Sequence, residues 1–167
     1  LPLDGLQDLA RERCRAVVAV ELDRRMIGIL ADRLGDLPNV HVVQGDILAL
    51  DPAETVAAGL RSLGIPAESA SPCYKVVANL PYYITSAALR HLLEPSRRPT
   101  LMTVMVQWEV ARRLVAVPGA LSLLAVSVQT YGEPEIVARV PAGAFYPPPS
   151  VDSAIVRVRV NQSPLVP

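Results

Sequence analysis

The chain has little cysteine, no net charge and no long apolar run, and each shortage removes a class of function. Its two cysteines, Cys14 and Cys73, stand far apart without metal-ligand spacing, so both are read as reduced structural thiols and no metal is expected. No apolar stretch approaches the roughly 20 residues that a membrane-spanning helix needs. Nor does the N-terminus carry a basic segment followed by an apolar run and a cleavage site. The expected compartment is therefore the cytoplasm, with no membrane partner. Sixteen basic residues are balanced by 16 acidic ones, which argues against nucleic-acid binding by charge alone.

Distribution matters more than the sum. All basic residues but Lys75 are arginine, and they cluster: Arg11, Arg13 and Arg15, then Arg24 with Arg25, Arg97 with Arg98, and Arg112 with Arg113. Such clusters either contact phosphates bidentately or form solvated helix faces. The 167 residues are 51% hydrophobic, enough for one α/β domain with a sizeable core, and this excludes disorder. No internal repeat is present.

Hydrophobic spacing then divides the chain. Ala16 to Val20 is a short, β-branched apolar run of the kind found in parallel strands buried on both faces, and it ends at Glu21. Met26, Ile29, Leu30 and Leu34 recur at helical spacing until Gly35 and Pro38 end the pattern. Val40 to Val43 predicts a second strand closing at Gly45-Asp46, and residues 49–72 a short helix within a surface excursion. Val76 to Ala78 predicts a third strand, which runs into Asn79-Leu80-Pro81-Tyr82.

Beyond it, Thr85 or Ser86 is expected to cap a helix carrying Ala88, Leu89, Leu92 and Leu93. Leu101 to Val106 is a fourth strand, and residues 109–115 and 121–128 are helical. Two late strands, Ile136 to Val140 and Ala154 to Val160, flank the Pro147-Pro148-Pro149 loop. Strands alternating with helices, then a closing strand pair, predict an α/β, doubly wound, mainly parallel sheet.

In such sheets ligands bind beyond the carboxyl ends of the strands. Glu21, Asp46 and Asn79 each end a successive predicted strand, which would align two carboxylates and an amide along one sheet edge. A carboxylate in the position of Glu21 can accept both hydroxyls of a ribose, and Asp46 could accept from an adenine exocyclic amine. Acidic residues after strands also serve solubility, so these two alone decide little. More specific is Asn79-Leu80-Pro81-Tyr82: an Asn and a Pro directly after a buried strand make a rigid turn with an outward aromatic. The Asn79 side-chain oxygen and the Leu80 carbonyl could accept from the amine of a flipped adenine while Tyr82 stacks on its ring.

Taken together, Val17 to Asp23, Val43-Gln44-Gly45-Asp46, Val77 to Thr85, Gln107 to Leu114 and Gly143 to Ala154 resemble the small-subunit ribosomal RNA adenine dimethyltransferase family. The resemblance runs from about Leu9 to Val160 and implies a class I S-adenosylmethionine-dependent methyltransferase domain. On it, Glu21 with Leu22 and Asp46 with Ile47 bind the S-adenosylmethionine donor together with Asn79. The target amine and base fall to Asn79, Leu80, Pro81 and Tyr82, and Phe145 becomes the second aromatic wall.

The implied reaction places two methyl groups on each of two adjacent adenines of small-subunit rRNA in a pre-ribosomal particle, performed by a monomer. The continuation Tyr83-Ile84-Thr85 favours this branch over the similar large-subunit rRNA methyltransferases. The Phe145 to Ala154 stretch argues against a DNA methyltransferase with a similar turn. A non-catalytic rRNA-binding assembly or transcription factor derived from the same fold is the alternative, against which the joint presence of Glu21, Asp46, Asn79 and Tyr82 argues.

Two family features are missing. The glycine-rich loop expected about 20 residues before Glu21 is replaced by Leu1-Pro2-Leu3-Asp4-Gly5, and the small helical domain after the last strand does not follow. Residues 1–160 are thus expected to be the catalytic domain, incomplete at its N-terminus, with 161–167 the start of a linker. Catalysis is expected of a protein complete with those parts.

Overall fold

The computed structural model describes residues 10, 13–66, 73–95, 97–161 and 163. They fall into two compact units, Leu1–Pro72 and Cys73–Pro167. Leu1 to Gly5, the stretch standing where the glycine loop was expected, lies outside the described residues.

In the first unit, β1 (Val17–Glu21) and β2 (Val40–Gln44) pair in parallel, from Val17 opposite Val40 to Glu21 opposite Gln44. Their crossover is α1 (Arg24–Leu34), which starts where the Asp23 side chain accepts from Arg25 N at 2.9 Å. The helix buries Leu30 and Leu34, spaced one turn apart, against Ala10, Leu37 and the strand residues Val17, Val40 and Val42. A second helix, α2 (Pro52–Ser62), has Pro52 at its first turn and Asp51 as cap, accepting from Glu54 N at 2.7 Å. Gly59 lets this helix close on β1, because a β-carbon there would stand 2.5 Å from Val18 Cγ2.

The second unit is a four-stranded sheet in the order β3-β4-β6-β5, made of β3 (Lys75–Asn79), β4 (Leu101–Gln107), β5 (Gly132–Val140) and β6 (Ser153–Val160). The pair β3–β4 is parallel, and β6 runs antiparallel to both β4 and β5. Three helices accompany it: α3 (Thr85–Leu93), α4 (Trp108–Leu114) and α5 (Leu123–Gln129). Alternate strand residues, Met102, Val104 and Val106 on β4 and Ala154, Val156 and Val158 on β6, are fully buried, as the two-residue period of a strand requires. Leu89 and Leu93 of α3, Ala111 and Leu114 of α4, and Ala125 and Val128 of α5 complete that core.

Element bounds depart from the sequence expectation in three informative places. Thr85 is the first residue of α3 and not its side-chain cap; its hydroxyl donates back to the Pro81 carbonyl at 3.2 Å. Helix α5 begins after Ser122, whose hydroxyl accepts from Ala125 N, so Leu121 lies outside it. Strand β5 starts at Gly132, upstream of Ile136, and contains Pro134. It is an edge strand, where a missing amide hydrogen costs no ladder bond.

Candidate functional site

Glu21 and Asp46 come together at the carboxyl end of the first unit's strand pair. The Glu21 carbonyl accepts from Gly45 N at 2.9 Å, tying the end of β1 to the turn after β2. Glu21 Oε1 accepts from Asp23 N at 2.9 Å, which fixes the carboxylate beside the first turn of α1. Asp46 is exposed, and its Oδ1 accepts from Leu48 N at 2.9 Å while its carbonyl accepts from Ala49 N. Leu22 presents 62% of its surface to solvent and Ile47 is half-buried. Two carboxylates and an exposed apolar side chain thus border one strand end, a set suited to a ribose and a flat heterocycle.

Asn79, Leu80, Pro81, Tyr82 and Phe145 gather in the second unit, where they line an open pocket of about 350 Å³. Asn79 closes β3, and Pro81 turns the chain into a single 3-10 turn, Tyr82–Ile84, that leads directly into α3. Across the pocket a second 3-10 turn, Ala142–Ala144, follows β5 and delivers Phe145. Leu80 is buried and Tyr82 is 39% exposed, so the turn is anchored by an apolar residue while its aromatic faces the opening. Two aromatic rings and a few polar atoms face this open pocket, a lining suited to a flat heterocycle.

Sequence reasoning missed several participants. Met105, Tyr146, Pro147, Pro149 and Ser153 also line the pocket. Ser153 is a buried polar residue at the start of β6, ahead of the apolar run Ala154-Ile155-Val156, and its hydroxyl lies 3.0 Å from the Tyr82 hydroxyl. A polar residue opening an apolar run was the available signal. Of the arginine clusters, the Arg97-Arg98 pair changes meaning, because Arg98 Nε donates to the Leu93 carbonyl at 2.7 Å and its guanidinium lies over the Tyr131 ring. Arg98 therefore closes the end of α3. Arg25 is paired with Asp23, and Arg112 with Glu109 at 3.9 Å.

Residues 7–167 match the model of the ribosomal RNA adenine dimethylase family. The chain belongs to that family. It is 47% identical to the ribosomal RNA small subunit methyltransferase A of Dehalococcoides mccartyi strain 195, over 97% of this chain and 53% of that protein. It is 42% identical to the protein of the same name from Moorella thermoacetica, over 97% of this chain and 57% of that one. The chain thus spans about half the length of the curated relatives it matches.

Among solved structures, the 23S rRNA methyltransferase ErmE superposes with a TM-score of 0.75 at 32% identity, covering 97% of this chain and 59% of its own. A dimethyladenosine transferase from Plasmodium falciparum gives 0.74 at 24% identity over 96% of this chain and 53% of its own, a likeness of fold. The α/β fold expected from the alternation of strands and helices, doubly wound and of the class I methyltransferase type, is the fold of this family member. Its parallel pairs are β1–β2 and β3–β4, and its antiparallel part is the closing pair β5–β6 with β4.

Proposed function

We propose that this chain is the catalytic core of an S-adenosylmethionine-dependent methyltransferase that dimethylates two adjacent adenines of small-subunit rRNA during ribosome biogenesis. One observation carries the reading: Asn79, Leu80, Pro81 and Tyr82 meet Phe145 around one open pocket with an aromatic residue on either side. Support comes also from the 47% identical small-subunit methyltransferase. The working protein is read as a cytoplasmic monomer acting on pre-ribosomal particles. Among the described residues no helix is long and apolar enough to cross a membrane.

The residues present fit the adenosine half of the donor. Glu21 takes the ribose hydroxyls, and Asp46 with Leu22 and Ile47 takes the adenine. The donor, when bound, supplies an electrophilic methyl group on a sulfonium. In the target pocket an extruded adenine lies between Tyr82 and Phe145, the energetic cost of unstacking being offset by the two rings. The Asn79 amide oxygen and the Leu80 carbonyl accept the two hydrogens of its exocyclic amine, which turns the nitrogen lone pair out of conjugation with the ring. So held, the amine nitrogen would be aimed at the donor's methyl group, and its proton would leave to solvent once the methyl group had been accepted. No strong general base is needed, and positioning supplies the rate.

Substituting Asn79→Ala in the full-length protein tests this. Transfer of labelled methyl from S-adenosylmethionine to small-subunit rRNA adenines should fall by about 10²-fold or more, the usual cost of losing one positioned polar group. Circular dichroism should stay near wild type. Substantial transfer by the variant would remove Asn79 from the mechanism, and no transfer by the wild-type protein would leave the non-catalytic assembly-factor reading.

A further inference from the structure

The two aromatic walls of the pocket stand on turns that lie at the surface. Neither the Tyr82–Ile84 turn nor the Ala142–Ala144 turn contains a buried residue; buried Leu80 and Thr85 anchor the chain on either side of the first turn, and the rings themselves need further contacts. What fixes them is a pair of adjacent residues where the chain enters β6. Asp152 Oδ1 accepts from Ala142 N at 2.9 Å, at the head of the turn whose Phe145 N in turn donates to the Ala142 carbonyl. The other oxygen, Oδ2, takes Arg139 Nε at 2.9 Å and Nη2 at 2.6 Å, a two-pronged pairing that also fixes direction.

The Arg139 guanidinium lies 4.7 Å from the centre of the Trp108 ring, and Trp108 N donates to the Asp152 carbonyl at 2.9 Å. Phe145 is thereby tied through one carboxylate to the start of α4 and the end of β5. On the opposite wall, Ser153, only 1% exposed, shares a hydrogen bond with the Tyr82 hydroxyl at 3.0 Å. The Arg139–Asp152 side chains are 57% and 27% exposed; a screened pair of that kind adds little to global stability. Its effect is local, on the geometry of one turn.

We propose that Asp152 and Ser153 are positioning residues that together set the gap between the Phe145 and Tyr82 rings, holding the pocket open at the width of one adenine before the base arrives. A pre-set gap removes the ordering cost from the step in which base and methyl donor are aligned. The inference rests on the target-base reading of the pocket given above. Alignment that counts only as the methyl group is transferred appears in kcat, so loss of the gap should lower kcat.

The test uses the full-length protein, methyl transfer to small-subunit rRNA, and the emission of Trp108, isolated as the difference from the spectrum of a Trp108→Phe variant. Asp152→Ala should shift that emission and lower kcat by about 10- to 100-fold with KM within about twofold, as loss of alignment does. Asp152→Asn, which keeps an acceptor for Ala142 N, should recover part of the loss. Ser153→Ala and Tyr82→Phe should each lower kcat about 10-fold, and the double variant no further, because both remove one hydrogen bond.

Wild-type kcat in Asp152→Ala despite a shifted Trp108 emission would overturn the inference for Phe145. Losses that multiply in the double variant, or no loss, would overturn it for Tyr82. If Asp152→Ala does not fold, Asp152→Asn and the Ser153–Tyr82 cycle decide. Absence of transfer by the wild-type protein would instead overturn the adenine reading, and the positioning role with it, while the Trp108 emission would still report the clamp.

Discussion

Glu21 gains its value from what holds it. Its Oε1 is engaged by Asp23 N and its carbonyl by Gly45 N, so the carboxylate is fixed at the strand end before any ligand arrives. A pre-aimed carboxylate accepting two hydroxyls makes charge-assisted bonds, each worth roughly 1.5–3 kcal/mol. Glu21→Ala in the full-length protein should therefore weaken S-adenosylmethionine binding by about 10²- to 10⁴-fold, since the two bonds sum to about 3–6 kcal/mol and each 1.4 kcal/mol is tenfold. Calorimetric titration reads this directly, and unchanged affinity would remove Glu21 from the ribose. Such residues were legible because they combine a chemical type with a strand end. Ser153 and Asp152 lie within the Gly143 to Ala154 motif but carry no role that the motif reveals, since hydrogen bonds to Tyr82 and Ala142 cross 71 and 10 positions of sequence and no local pattern encodes them. Arg98 shows the converse: residue type left phosphate contact and a solvated face equally open, and its neighbours Leu93 and Tyr131 made it a helix-end cap.

Elements were read well where one period dominated and less well at their ends. The β-branched run of β1 and the Leu30–Leu34 spacing of α1 carry strong signals, whereas the start of β5 is masked by Pro134, a residue that sequence rules count against a strand. Its position at the sheet edge decides otherwise, and edge position is a property of topology. The same strand contains a close approach that only the fold shows. A β-carbon on Gly132 would stand 2.5 Å from the Arg159 carbonyl oxygen and 2.9 Å from Val158 Cγ1. Main chain cannot yield as a flexible side chain does, so Gly132→Ala must push β5 away from β6. The expected loss is about 1–3 kcal/mol, the usual cost of overpacking, read as a lower urea midpoint at unchanged slope. A stability equal to wild type would mean that the edge strand relaxes freely at this point.

At the scale of the whole molecule, a formal charge of zero conceals a division of labour among the carboxylates. Three of them titrate below their ordinary range because an arginine or an amide faces the charged form. Asp23 is lowered chiefly by Arg25, Glu135 by Arg157, and Asp152 by the Ala142 amide and then Arg139. A carboxylate whose folded pKa is depressed stabilises the fold fully above its unfolded value. These are 3.8 for Asp23 and Asp152 and 4.5 for Glu135. As pH falls through the folded values that contribution disappears, because the unfolded chain then binds protons more readily. These groups therefore make no pH-dependent difference near neutrality and act only at the acid end. Urea midpoints measured from pH 7 to pH 3 should stay level in this respect down to about pH 5 and then decline. The double variant Glu135→Gln with Asp152→Asn should show a shallower acid decline, and added salt should shrink the difference by screening these exposed pairs. An acid limb of unchanged steepness in the double variant would move the acid sensitivity to other carboxylates and leave the Asp152 contacts a purely local effect, which is what the positioning of Phe145 needs of them.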